Sequence, residues 1–563
     1  MTSMKKMIAL CGLCLGLSLG TGAQIRQSTL LTFLPEQYGK VELDIEVKQS
    51  YRNPYAQEDI ALDMLVTAPS GKELRLPCYF EKAGQGKLSY WKAHFTPQEA
   101  GTYTYAFVLS KAGKETDRSQ GQTFRAAASE GRGFLHTKSD WVLMFDNGEP
   151  FRGVGENICW ESRDHDDSKY YKALHELGGR YNYDYLLENL AKSGGDFFRT
   201  WMCGWNLPID YRGPFNNQRY VESDEYYNPS ALQRMDYLVE LSESLGLYMM
   251  LTLGQGGFTP DHRGVASDSD EFFGKPEARA WYKNRLRYIV ARWGYSPAIA
   301  MWEFFNEVDN VQHRHKGGPI DGRKITDWHA EMSAYLKQID PYEHIVTTSI
   351  SHRDVEGLNS VEDIDINQKH IYNRTDAIPE EINRYVRQYG KPYIIGEFGR
   401  EWDWSKNFDD FSDEMDIDFR RGIWYGVFSP TPVLPLSWWW EYFDARGMTA
   451  YYRGVRDICD RMLAAGRGSF EPLEVKAGHS QAFAVRCGEE IYVYVFNPQK
   501  GIAVSDIEVA GGDGRNYVFE RYHPFSRQYS ESLNVQEKEG RLVLEDEVLG
   551  SACEMLYILK PLS

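Results

Sequence analysis

Apolar and polar residues alternate with a period of two from residue 25 to about residue 130. The runs are "KVELDIEVKQSY", "DIALDMLVTAPSGKEL" and "SYWKAHFTPQEAGTYTYAFVLS". Pro-Ser-Gly and Glu-Ala-Gly mark the turns between them. This is the pattern of strands with one buried face, and it predicts a small β-sandwich. From about 134 to 464 the pattern changes. Short apolar runs ("FRGVGEN", "FFRTWM", "YMMLTL", "IAMWEFF", "IVTTSI", "INQKHIY", "YIIGEFG", "PVLPLSWWW") are separated by stretches of helical periodicity. In one such stretch Leu232, Met235, Leu238 and Val239 fall on one face. Eight strands alternating with helices predict an α/β fold, a (β/α)₈ barrel with loop insertions. "GGRYNYDYLL" and "RGPFNNQRYVESDEYYNPS" would be such insertions. From about 466 to the end, β alternation returns and predicts a second small β-sandwich. There is no internal repeat.

The expected domains are a leader over 1–23, an immunoglobulin-like β-sandwich over 24–130, the barrel over 131–464 and a C-terminal β-sandwich over 465–563. The leader reading rests on Lys5 and Lys6, the apolar run from Met7 to Leu19 and the small residues Thr21-Gly22-Ala23. That run is too short to span a bilayer, and no other segment is long and apolar enough. A secreted protein, periplasmic or extracellular in a bacterium, is expected. Cys11-x-x-Cys14 lies inside the leader and carries no site. The other six cysteines are scattered without metal-ligand spacing, and a Cys487–Cys553 disulfide is left open.

Composition adds two constraints. Aromatic residues make up 14% of the chain, with 15 Trp and 37 Tyr, which suits either a large β content or a sugar-facing surface. Removing the leader takes the formal charge from −18 to −20. An acidic surface of that size argues against nucleic acid, anionic lipid and polyanionic glycans as partners.

The chemistry is expected at the C-terminal ends of the barrel strands. The fourth run, "AIAMWEFFNEVDN", drives straight into carboxylates, which a buried strand avoids unless they are paired or used. A period of two puts Met301, Glu303, Phe305 and Glu307 on one face, with Glu307 at the rim. In the seventh run Tyr393, Ile395 and Glu397 share a face, with Glu397 at the top. Two glutamates at the mouth suit glycosidic hydrolysis, which needs one carboxylic acid and one carboxylate. Arg199, on the face shared with Phe197 and Trp201, would keep Glu397 ionised. His370 and Tyr372 share a face on the sixth strand, and Trp438 and Trp440 share one on the eighth. Trp440 is expected nearest the rim, flanked by Glu441 and Trp201, with Asn306 as a donor to a sugar hydroxyl.

Together the strand-four "NE", strand-seven "GEFG", strand-two Arg, strand-six His-x-Tyr and strand-eight Trp resemble the cellulase-type retaining glycosidases of glycoside hydrolase clan A, nearest to family five. The resemblance covers roughly residues 134–464. It implies Glu307 as acid/base and Glu397 as nucleophile, with no metal and no cofactor. One position departs from the pattern. Where family-five barrels commonly carry a histidine after strand three, this chain has Gln255, so the substrate does not carry over.

Plainer readings stand beside these. Glu303 is read as a buried acid satisfied by a barrel neighbour, Trp302 as core, and Trp439 as pointing outward into helix packing. "HRHKGG" over 313–318 lacks carboxylate or thiol partners at metal spacing and reads as a solvated loop. "RGVGEN" lacks the third glycine of a dinucleotide fingerprint. The expected function is hydrolysis of a plant or microbial oligo- or polysaccharide by double displacement. The rival readings are a carbohydrate-binding protein on an inactive barrel and an inverting hydrolase that uses a different carboxylate pair.

Overall fold

The computed structural model describes residues 23–163, 181–254, 264–313 and 319–562, apart from Trp402 and Trp404. The chain divides into two compact units, one built mainly on residues up to 129 and the other on the remainder.

The first unit consists of two antiparallel sheets. One has four strands in the order Ile25–Leu30, Val41–Lys48, Leu88–Phe95, Tyr79–Ala83. The other runs Glu73–Pro77, Ile60–Thr67, Gly101–Lys111, Lys114–Arg118, with Gln122–Ala126 also paired to Gly101–Lys111. Alternation decides the packing. Val41, Leu43, Ile45 and Val47 are fully enclosed, while Glu42, Asp44 and Glu46 on the opposite face are not. Phe95 of the first sheet meets Tyr103 and Phe124 of the second edge-on, at ring separations of 5.5 and 6.2 Å.

The second unit carries a parallel barrel. Its strands are β1 (Gly155–Asn157), β2 (Phe197–Trp201), β3 (Tyr248–Thr252), β4 (Ile299–Glu303), β5 (Ile345–Ile350), β6 (Ile366–Tyr372) and β7 (Tyr393–Gly399), hydrogen-bonded in that order. The segment 432–438 takes the eighth place. It makes parallel bridges from Val433 to Gly153 and from Ser437 to both Glu156 and Phe398. Helices alternate with the strands, and their ends are written in the sequence. Pro229–Leu245 starts where Asn228 accepts a hydrogen bond from the Ala231 N–H, has Pro229 at its first position, and stops at Gly246 with φ +67°.

Below the strands, the short sheet Leu135–Thr137, Leu143–Phe145, Pro150–Phe151 closes the barrel floor. Phe145 and Phe151 contact Tyr248 at the start of β3, and share a core with Phe197, Met250, Met301, Ile345 and Ile366. The C-terminal strands from Glu471 to Pro561 form one antiparallel hydrogen-bonded path. Its inner faces enclose a core that includes Ile491, Val493, Val509, Phe519, Leu544 and Leu559. Cys487 is buried and Cys553 exposed, and both are free thiols, so the disulfide left open by spacing does not form.

Two local departures from strict alternation shape the mouth of the barrel. In β4 the pleat ends at Glu303. Phe304 and Phe305 both pack against Trp328 in the helical layer, at 5.6 and 5.3 Å, so Phe305 does not share the interior face with Glu303 as alternation predicts. In β7, Tyr393 stacks on Tyr385 of a surrounding helix, while Ile394 joins the barrel core. Pairing with β6 then jumps from Lys369–Ile395 to His370–Glu397, leaving Gly396 as an extra residue. This bulge, not simple parity with Tyr393, turns Glu397 inward. Only glycine fits there, since a Cβ would lie 1.7 Å from Gln368 Oε1.

Arg152 anchors the floor without a carboxylate. It is fully buried and donates to the carbonyls of Val427 (3.0 Å), Gly426 (3.0 Å), Ser429 (3.2 Å) and Thr431 (3.1 Å). Trp141 and Phe470 lie against its guanidinium at 5.3 and 5.0 Å. Burial pulls its pKa down to about 10, which still leaves it charged at neutral pH. Arg152→Met should orphan these carbonyls and cost roughly 3 kcal/mol or more of stability, measured as a lower urea midpoint at an unchanged m-value.

Candidate active site

The C-terminal ends of the barrel strands hold a network centred on Arg199 of β2. Its side chain is wholly enclosed. Nε donates to Glu303 Oε2 at 2.7 Å and Nη2 to Glu303 Oε1 at 2.8 Å, a two-pronged pairing. Nη1 donates to Glu397 Oε1 at 2.6 Å and to Asn157 Oδ1 at 3.2 Å, and Nη2 also reaches Asn306 Oδ1 at 2.8 Å. One guanidinium thus joins β1, β2, β4 and β7. Burial alone would weaken its hold on the proton, but Glu303 and then Glu397 reverse that and raise its pKa. Glu303 also accepts from the Thr252 hydroxyl at 2.5 Å, so it is a satisfied structural acid, in line with the plainer reading of its position.

Glu397 has its second oxygen bonded by the Tyr372 hydroxyl at 2.5 Å, and His370 Nδ1 lies 3.3 Å from that same oxygen. Burial raises the pKa of Glu397 above the usual carboxylate value; His370, Arg199 and the Tyr372 hydrogen bond pull it back, and the charge of Glu307 adds to the rise. Arg199 therefore acts in the expected direction but does not outweigh burial. Tyr372 is pushed well up by burial first and by the two glutamates next, so it remains a hydroxyl donor.

Glu307 sits beyond the end of β4 in a left-handed conformation, φ +52°. Ser349 Oγ accepts from its N–H at 2.9 Å and holds that turn. Asn310, one helical turn on, donates to Oε2 at 2.7 Å, and His370 Nδ1 bonds Oε1 at 2.9 Å. His370 is thus a bridge between the two glutamates. A carboxylate oxygen of each glutamate and a ring nitrogen of His370 lie within 4.8 Å of one another. The same three residues have donor spacing that would suit a metal ion, but Glu397 is already bonded to the Arg199 cation, which disfavours a second positive charge.

The aromatic rim differs from expectation at one position. Trp440 is 0% exposed and begins the short helix Trp440–Ala445, so it is core rather than the residue nearest the rim. Trp438 is 9% exposed and contacts Trp201 at 5.7 Å, and Trp201 itself lies against Arg199 at 5.4 Å. The chain turns sharply between them at Trp439 (φ +61°), which packs on Phe408. That turn is why period-two counting fails here. Glu441 is buried in the first turn of the helix. Gln255 and residues 314–318 lie outside the described residues.

Pattern reading passes over Asn157, Ser349 and Asn310. Asn157 closes the "FRGVGEN" run and donates to the carbonyls of Gly396 (3.0 Å), Leu436 and Ser437. A polar residue ending an apolar barrel run is the available signal. Asn310 is visible as the residue three beyond Glu307 on a helix.

Residues 162–417 match the model for cellulase, glycosyl hydrolase family 5. Over these residues the chain is similar to glycosyl hydrolase family 5. Glu307, Glu397 and Arg199 all fall within the matched residues. Residues 35–110 match a domain of unknown function, DUF5060. Mannan endo-1,4-beta-mannosidase A of Podospora anserina is 26% identical over 254 residues, 39% of this chain and 65% of that protein. Mannan endo-1,4-beta-mannosidase F of Aspergillus fumigatus is 26% identical over 305 residues, 46% of this chain and 63% of that protein. The chain thus spans somewhat less than two thirds of the length of these two curated relatives. A crystal structure of a Bacteroides vulgatus protein, provisionally described as a glycoside hydrolase, superposes with a TM-score of 0.64 at 15% identity. It covers 94% of this chain and 99% of that one, and so shares the fold.

Replacing Arg199 by Met should leave Glu303 and Glu397 buried with no cation and destabilise the protein by about 3–5 kcal/mol. Adding Glu303→Gln should recover part of that loss in the same urea titration, because one of the two stranded charges is gone.

Proposed function

We propose that this protein is a retaining glycoside hydrolase that cleaves a β-1,4-linked glycan by double displacement. The carrying observation is the approach of Glu307 and Glu397, with an oxygen of each inside a 4.8 Å cluster. That supports the carboxyl separation of about 5–5.5 Å used by retaining enzymes over the wider gap that inversion needs to admit water. Glu397 is the nucleophile. Arg199 and Tyr372 bond its two oxygens, fixing its orientation and favouring the ionised form against the push of burial. Glu307 is the acid/base. It is the more accessible of the two, with 21% of its side chain open, as a group that must meet the leaving oxygen and then water would be.

In the first step Glu397 attacks the anomeric carbon while Glu307 gives its proton to the departing glycosidic oxygen. His370 holds Glu307 toward that oxygen. In the second step Glu307 takes a proton from water, which displaces Glu397 from the sugar. Asn306, tethered through its oxygen to Arg199, presents its amide to a sugar hydroxyl. The mannanase relatives favour a mannan-type substrate. The lysine pair and short apolar run at the N-terminus favour export to the periplasm or medium.

Glu397→Ala should abolish hydrolysis of an activated aryl glycoside, and added azide should restore turnover as a glycosyl azide of inverted configuration. Near-normal activity without azide would remove Glu397 from the nucleophile's role. The pH profile gives an independent check. Activity needs Glu397 ionised, so it is present above the Glu397 pKa and lost below it. The Tyr372 hydrogen bond lowers that pKa. Tyr372→Phe should therefore move the acidic limb of kcat/KM to higher pH and cut kcat/KM near neutrality on the order of ten- to a hundredfold.

A further inference from the structure

Five tryptophans meet on one side of the barrel mouth. Trp160 follows β1, Trp201 ends β2, Trp205 lies in the loop beyond it, and Trp438 and Trp440 lie at and just beyond the end of the closing segment 432–438. Trp160 is the hub, with ring separations of 5.3 Å to Trp201, 5.9 Å to Trp205, 5.5 Å to Trp438 and 5.0 Å to Trp440. All but one of those four contacts lie within about 14° of perpendicular, the Trp201 contact being at 66°. Edge-to-face packing of this kind leaves no slot between the rings for a sugar. Arg163 caps the group, 5.1 Å from Trp160 and 5.2 Å from Trp205. The indole N–H groups of Trp160, Trp201, Trp205 and Trp440 are buried with no hydrogen-bond partner among the described residues.

The position of this wall follows from the chemistry, and the inference rests on the hydrolase reading above. Glu307 protonates the leaving oxygen, so the leaving group lies on its side of the anomeric carbon, toward β4 and β5. The sugar attacked by Glu397 and anything attached beyond it extend the other way, toward the closing segment, β1 and β2. There the wall stands. We propose that the tryptophan wall closes the glycone end of the cleft after one sugar, so that the enzyme acts on chain ends and releases the terminal non-reducing monosaccharide. A terminal sugar can end against this wall, whereas an internal sugar would have to continue its chain through the rings.

The test uses the intact protein, a panel of aryl β-monoglycosides with their matching biosides, and polymeric mannan and glucan. The aryl monoside should be turned over with a kcat/KM within about tenfold of the bioside. Polymer should yield monosaccharide from the first time points with no fall in viscosity. Preference for the bioside by roughly a hundredfold or more, or an early viscosity loss with mixed-length products, would overturn the closed end while leaving the hydrolase reading intact. No turnover of any member of either panel by folded protein would overturn the hydrolase reading and this inference with it. Trp160→Ala, if it folds, should open the wall and shift products toward longer oligosaccharides. Trp160→Phe keeps an aromatic ring in the wall, and at an unchanged melting temperature it should keep the monosaccharide product pattern. The wild-type product pattern decides the matter even if Trp160→Ala does not fold.

Discussion

A single guanidinium sits where four strands converge, and the upper half of the barrel is arranged around it. Arg199 is enclosed, so its charge is stable only because Glu303 and Glu397 approach from two sides. The arrangement is asymmetric. Glu303 takes two parallel hydrogen bonds and a third from Thr252, and has no oxygen left for chemistry. Glu397 takes one from Arg199 and one from Tyr372, which orients it and leaves it the nearer of the two to Glu307 and His370. One acid satisfies the cation, and the other is presented by it.

Much of this is legible in the sequence, because barrel strands obey a period of two and their upper ends carry the polar residues. Arg199 and Trp201, or His370 and Tyr372, fall on the interior as counting predicts. Glu397 is a different case. Counting back from it puts Tyr393 inside, yet Tyr393 stacks outward on Tyr385 and Ile394 takes the interior place. The Gly396 bulge inserts one residue and corrects the phase, so counting reaches the right glutamate although it fails at the start of the same strand. No local hydrophobic pattern announces a bulge. A lone glycine before a glutamate is its only trace.

The same limit appears at Glu307 and at Trp440. After Glu303 two successive phenylalanines turn to the helical layer, and a left-handed residue then brings Glu307 back over the mouth. At Trp439 another left-handed residue ends the closing segment and buries Trp440. In each case tertiary packing against particular rings, Trp328 or Phe408, overrides alternation. Asn157 escapes pattern reading for another reason. Its work is done on the carbonyls of Gly396, Leu436 and Ser437, which are remote in sequence and become neighbours only when the barrel closes.

The Arg152 cage has a consequence for modularity. Its carbonyl acceptors belong to the chain just before the closing segment, but one of its two aromatic walls, Phe470, comes from the far side of the nominal boundary at residue 465, stacked on Trp141 at 5.0 Å. The C-terminal strands are therefore not a detachable appendage that could be trimmed or exchanged at that boundary without consequence. A cut there would strip one wall from a buried cation at the foot of the barrel and admit water to it. A different C-terminal segment grafted at that point would have to bring its own ring to the place Phe470 fills beside Arg152 and Trp141.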